Sequence, residues 1–231
     1  MDLKASIAVA LLCTVGCAVS AVFFLIAYRR KEFRRGLWLK TLTSLFFVAV
    51  GIVMMVNSNS KCTALQVVCG LALGLIGDVL LALRQLYKAR REFFFTVGAL
   101  AFAVGHVMYM LALRSIAVVH WGAILAVFVL GMLLSHCYAL YRKIDVGSKK
   151  LPAMIYLAIV VLMGSVAICT GIAVRSPAAI LFAVGGLLFA ISDNILCAYS
   201  YGNKSIWRMN RILHIAYYGA QLAIAWSILF I

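Results

Sequence analysis

Apolar residues in this chain come in eight long blocks, broken by short polar runs. The blocks cover about 5–28, 37–56, 64–83, 93–113, 120–141, 152–174, 178–200 and 210–230. Each reaches the roughly 20 mostly apolar residues a helix needs to cross the hydrocarbon core of a bilayer. The pattern predicts an all-α polytopic membrane protein, a bundle of eight transmembrane helices. The connections are short and leave no room for a soluble domain, so residues 1–231 are expected to form a single transmembrane domain. The first block lacks the short core and small-residue cleavage pattern of a removed signal peptide, and is expected to remain as the first helix.

Composition agrees with the pattern. Mean hydropathy is +1.11, only 12% of residues are charged, and there are two prolines. So little polar surface cannot cover a soluble globule. The net charge of +15 would point to nucleic acid in a soluble chain. Here its placement argues for topology instead, and no nucleic-acid partner is expected. Seventeen of the 21 Lys and Arg lie in or beside the first, third, fifth and seventh connections; only Lys4, Lys61, Arg114 and Arg175 lie on the other side. By the positive-inside rule the odd connections are cytoplasmic and both termini are non-cytoplasmic. The basic connections also suit anionic membrane lipids, although setting topology is the plainer role. The seven cysteines lie mostly inside the blocks, show no CxxC or Cys/His metal spacing, and read as small hydrophobes; Cys62 alone is expected in a short outer loop.

Against this background two carboxylates stand out. Asp2, Glu32, Glu92 and Asp145 fall in tails, connections or at a helix start. Asp78, in GLALGLIGDVLLAL, and Asp193, in GGLLFAISDNILCAY, fall inside the third and seventh blocks. An acid within a span costs roughly 2.5–3.5 kcal/mol on insertion scales, and such residues usually face the bundle interior and serve function. Both helices run from the outer to the inner side. Both acids are expected about 8–11 Å from the cytoplasmic boundary, at ~1.5 Å per residue. A pair at one depth favours a site. The alternative is that each acid only cross-links helices by hydrogen bonds. Gly70, Gly74 and Gly77 line one side of the third helix and favour close packing there. The two acids are 115 residues apart, and His106 and Gln221 each follow their aspartate by 28. The offset raises a possible parallel 4+4 repeat.

Other polar residues inside the blocks complete the candidate set. His106 and Tyr109 share a face of the fourth helix, with His106 expected deeper than the acids. His136 and His214 match the acids in depth, while His120 is expected at the outer interface. Tyr217 and Gln221 share a face of the eighth helix, and a carboxylate could accept from the glutamine amide. Asn194 follows Asp193. Lys40 opens the second helix, where snorkelling toward the headgroups is the plainer role. The histidines show no paired spacing, so no metal and no cofactor is expected. Ser192 precedes Asp193, but helical neighbours point about 100° apart, which gives a Ser-His-Asp triad no support.

GLIGDVLLAL, GHVMY, GGLLFAISDNIL and AYYGAQ, in that order, resemble the YhhN-type lysoplasmalogenase family over essentially the whole chain. Lys40, in LKTL, resembles the family's basic residue at the start of helix two, without the proline expected shortly after it. Position by position, the family's key acids correspond to Asp78 and Asp193. The resemblance implies a hydrolase that cleaves the vinyl ether of a lysophospholipid substrate, lysoplasmalogen. The products would be a fatty aldehyde and glycerophosphoethanolamine or glycerophosphocholine. Vinyl ether hydrolysis passes through an oxocarbenium ion and needs one protonated acid and one anion. Two close carboxylates sharing a proton supply both, with one acid as donor and the other stabilising the cation and activating water, as in glycosidases. The site is expected in an integral, multi-pass membrane protein, in the plasma membrane of a bacterium or an internal membrane such as the ER. No oligomeric state is assigned. A transporter or proton-coupled carrier would also bury an acid pair, although Pro152 and Pro177 stand at span starts rather than within them. An intramembrane aspartyl protease fits less well, because the sequence reads GxxGD in place of GxGD. A structural membrane protein is the third rival.

Overall fold

The computed structural model describes residues 2–147, 150–202 and 207–231. Lys149 and Lys204, two of the basic residues in the orientation argument, lie outside them. Within a bilayer every backbone N–H and C=O must find an internal partner, which an α-helix alone supplies for a single segment. The described residues accordingly form eight helices and no strand: α1 (Leu3–Arg29), α2 (Phe33–Met55), α3 (Lys61–Leu86), α4 (Arg91–Ile116), α5 (Trp121–Tyr141), α6 (Lys150–Val174), α7 (Pro177–Tyr201) and α8 (Trp207–Ser227). Short 3-10 turns at Lys88–Arg90 and Ile228–Phe230 flank them. All eight are long and apolar enough to cross a membrane, and each lies within a few residues of its predicted block. The start of α7 shows the local logic. Pro177 needs no amide partner at the first helical position, and the Ser176 hydroxyl accepts from Ala179 N–H at 3.2 Å.

Consecutive helices pack antiparallel, α1 on α2 on α3 on α4, and α5 on α6 on α7 on α8. The two runs close on each other through α4 against α6 and α8 against α2. α8 is the innermost helix, with 61% of its apolar window buried, and α5 the outermost, with 11%. Leu125, Val129, Leu130 and Leu133 on α5 point outward, as lipid-facing residues do. The core joins Phe47 and Val50 of α2, Leu71 of α3, Phe189 of α7 and Ile224 of α8.

Both termini lie at one end. Asn57 Nδ2 donates to Ser6 Oγ at 2.6 Å, and Ser60 N–H donates to the Ile231 carbonyl at 3.2 Å. The connections rich in Lys and Arg lie at the other end.

The offset of 115 seen between the acids recurs in the packing. Shifting the bounds of α1–α4 by that number reproduces α5–α8 to within a few residues. A Cβ on Gly105 would sit 3.2 Å from the Gly70 carbonyl, and one on Gly185 3.1 Å from that of Ala220. The second pair is the first, 115 residues on.

Candidate active site

Asp78 and Asp193 each stand eight residues before the end of their helix. That places both about 12 Å from the basic end, at ~1.5 Å per residue. Both are buried, at 1% and 8% exposure, and both line one cavity of about 80 Å³ with Lys40, Tyr156, His214 and Tyr217. The acids therefore face the bundle interior. The structure gives each acid its own partners.

Asp78 accepts from three donors. The Lys40 ammonium lies 2.9 Å from Oδ1. The hydroxyls of Ser44 and Tyr217 lie 2.6 and 2.8 Å from Oδ2. Such a set matches an acceptor-only, anionic carboxylate. A buried ion pair is tolerable when further hydrogen bonds satisfy the remaining lone pairs, and the two hydroxyls do so. Lys40 is itself only 8% exposed. It does not snorkel, correcting the expectation from its position: α2 begins at Phe33, so Lys40 lies two turns into the helix and turns inward to Asp78 of α3, with its ammonium 5.9 Å from the Phe24 ring centre.

A one-way relay reaches Asp78 from mid-bundle. Tyr109 donates to Gln221 Oε1 at 2.8 Å, Gln221 Nε2 to the Tyr217 oxygen at 3.1 Å, and Tyr217 to Asp78. Glycine makes room for it. A Cβ at Gly74 would run into the Gln221 amide nitrogen, and one at Gly70 into the Tyr109 ring.

Asp193 has a different environment. Tyr156 of α6 donates to Oδ2 at 2.7 Å, and Oδ1 takes no hydrogen bond among the described residues. Asp193 thus keeps one oxygen for other chemistry. Each acid does cross-link helices, Asp78 joining α2, α3 and α8, and Asp193 joining α6 and α7. Pure cross-links would have no need to open on a shared cavity.

The remaining candidates divide. His214 lines the cavity, with Nδ1 2.8 Å from the Asn210 carbonyl one turn back and its ring 4.9 Å from that of Phe24. His106 is fully buried behind the cavity, 4.8 Å from the Phe189 ring and 6.4 Å from that of Tyr156, with neither nitrogen hydrogen-bonded. Its greater depth keeps it from the acids, as its place in α4 foretold. His136 is a correction. Its depth on α5 suits the site, but it is exposed on the outermost helix. Asn194 is another: it donates to the Ala190 carbonyl of its own helix at 2.8 Å and does not line the cavity. His120 is exposed at the start of α5. Cys62 is the second residue of α3 rather than part of a loop, and all seven cysteines are free.

Sequence reasoning missed Ser44 and Tyr156. Ser44 follows Lys40 by one turn and shares its face, a signal readable once Lys40 is known to point inward. Tyr156, near the start of its span, carried the signature of an interfacial aromatic.

An eight-helix membrane bundle enclosing two acids, a lysine and a tyrosine relay near one face defines a polytopic membrane protein with an internal polar site. The chain belongs to the YhhN family, whose model matches residues 35–228 and so takes in Lys40, Ser44, both acids, Tyr156 and the Tyr217–Gln221 pair. Comparison with curated proteins finds no match, and comparison with solved structures finds none.

Proposed function

We propose that this protein is a lysoplasmalogenase-like hydrolase, cleaving the vinyl ether of a lysophospholipid to a fatty aldehyde and a glycerophosphodiester. Family membership supports a lysoplasmalogenase-like assignment in general terms. The observation that carries the reaction is the unequal pair of acids on one cavity. Asp78 is surrounded by donors and acts as the anion. Asp193, with one oxygen uncommitted, acts as the proton donor.

In the first step Asp193 transfers its proton to the vinyl carbon remote from oxygen, and the double bond shifts to give an oxocarbenium ion. The Asp78 carboxylate stabilises this cation electrostatically. Asp193, now deprotonated, takes a proton from water as the water oxygen bonds to the cationic carbon. The hemiacetal that results collapses to aldehyde while its ether oxygen leaves with a proton as the glycerol hydroxyl. One water is consumed, and each acid ends as it began. Tyr156 orients Asp193; Ser44, Lys40 and Tyr217 orient Asp78. A bond just below the headgroup of a membrane-embedded lysolipid meets acids about 12 Å from the helix ends. The basic end faces the cytoplasm and the termini face away from it.

The test is direct. Purified protein in detergent receives lysoplasmalogen, and free aldehyde is measured. The parent protein is expected to release aldehyde. Asp193→Asn is expected to lose at least about 100-fold, in the range of general acid catalysis, while remaining folded by thermal unfolding. Full activity in that variant removes the mechanism. Flux of a solute through proteoliposomes with no aldehyde formed would instead favour a carrier.

A further inference from the structure

A second cavity of about 480 Å³ opens between α4, α6 and α7. Its wall is apolar, with Leu100, Leu151 and Ile155 exposed on the bundle surface at its edge. It meets the first cavity at Asp193 and Tyr156, which line both, together with Leu81, Phe102 and Leu196. Asp193 therefore sits where a polar chamber and a greasy groove join.

The offset of 115 relates the two. Lys40, which pairs with Asp78, has Ile155 as its counterpart beside Asp193. His214 and Asn210 of α8 have Ala99 and Phe95 of α4. Tyr217 has Phe102, and the rings of these two counterparts meet at 5.9 Å. All of these residues line one cavity or the other. At these offset positions polar side chains line the first cavity and apolar ones line the second. At the rim of the junction the Arg84 guanidinium, which lines the polar cavity, stacks 5.1 Å over the ring centre of Phe95, which lines the groove.

We propose that the two cavities form one lipid site divided by polarity. It takes a single-chain phospholipid from the side of the bundle, with its phosphate toward Arg84, its first chain atoms at Asp193 and its hydrocarbon tail in the α4–α6–α7 groove. The shape and charge select the occupant: one groove holds one chain, it opens on the outer surface of the bundle at Leu100, Leu151 and Ile155, and the junction with the polar cavity carries the Arg84 cation, which suits a phosphate. The inference rests on the reading of the protein as a lysolipid hydrolase and assigns the residues that select its substrate.

The experiment uses a saturated 1-O-alkyl lysophosphatidylethanolamine with a photoreactive diazirine at the chain end. It has no vinyl ether, so its binding is read apart from turnover. After illumination, adducts are expected on α4 and α6 near Leu100 and Ile155, and excess unlabelled alkyl lysolipid is expected to remove them. Adducts spread over α1 and α5 that resist competition overturn the groove. Turnover of lysoplasmalogen with scattered adducts keeps the hydrolase and removes only the groove; competed groove adducts without turnover do the reverse. Ala99→Trp, which fills the groove, is expected to weaken competition by a long-chain lysolipid about tenfold, comparable to losing a methylene or two of apolar contact. A short-chain analogue is expected to compete unchanged. Arg84→Gln is expected to weaken a phosphate-bearing lysolipid more than the matching alkylglycerol; equal loss for both removes the phosphate role.

Discussion

At the residue scale the site is decided by which donors reach which oxygen. Asp78 is suited to the anionic role because a lysine and two hydroxyls converge on it. Removing the lysine leaves a buried charge held only by hydroxyls. Lys40→Met is therefore expected to cost about 3 kcal/mol, the low end for breaking a buried pair. Adding Asp78→Asn is expected to restore most of it. Thermal unfolding in detergent reads both; a Lys40→Met protein as stable as its parent would mean that the pair holds nothing. Tyr156 presents the contrasting case. Tyr156→Phe loses one hydrogen bond, worth about 1 kcal/mol. Its effect on turnover is expected to be larger, about 10- to 100-fold, because Asp193 loses the hydroxyl that fixes its direction among the described residues. A small change in activity alongside a large fall in stability would assign Tyr156 to packing alone.

At the element scale, glycine sets how closely α3 approaches α4 and α8. Gly74 matters because the Gln221 amide occupies the space its Cβ would fill. Gly74→Val is expected to destabilise by about 1–3 kcal/mol, as overpacking does, and to push Gln221 off the relay toward Tyr217. Combined with Gln221→Ala, which empties the same space, the loss is expected to be clearly less than additive. Additive losses would place the strain elsewhere. α5 shows the opposite extreme. It touches little besides α6, so His136 turns outward although its depth along the helix suits the site.

At the scale of the whole molecule, eight antiparallel helices bring the termini together at one end and gather the basic connections at the other. If the basic end is cytoplasmic, Cys62, exposed near the opposite end, is expected to react with a membrane-impermeant maleimide in intact cells. A cysteine placed at Lys88, in a background with Cys62→Ser, is expected to react only after permeabilisation. The reverse pattern of labelling inverts the orientation. The same architecture packs α4 on α6 and α8 on α2, and two cavities meet beside Asp193.

The chain by itself determined the eight spans, their boundaries to a few residues, the all-α class, and the two acids as the exceptional residues. Those features are local, because the cost of burying a charge or a bare backbone in hydrocarbon is charged to each segment separately. The partners of the acids are not local. Lys40, Ser44, Tyr156 and Tyr217 come from three helices, and rotation of each helix about its axis decides whether a polar side chain meets a carboxylate or lipid. Packing sets that rotation. It turned Lys40 inward from its expected place at the headgroups, left His136 and Asn194 outside, and distinguished two acids that look alike along the chain. The groove beside Asp193 was hidden for the same reason: its residues are mostly ordinary apolar ones drawn from four helices, and only their juxtaposition makes a cavity.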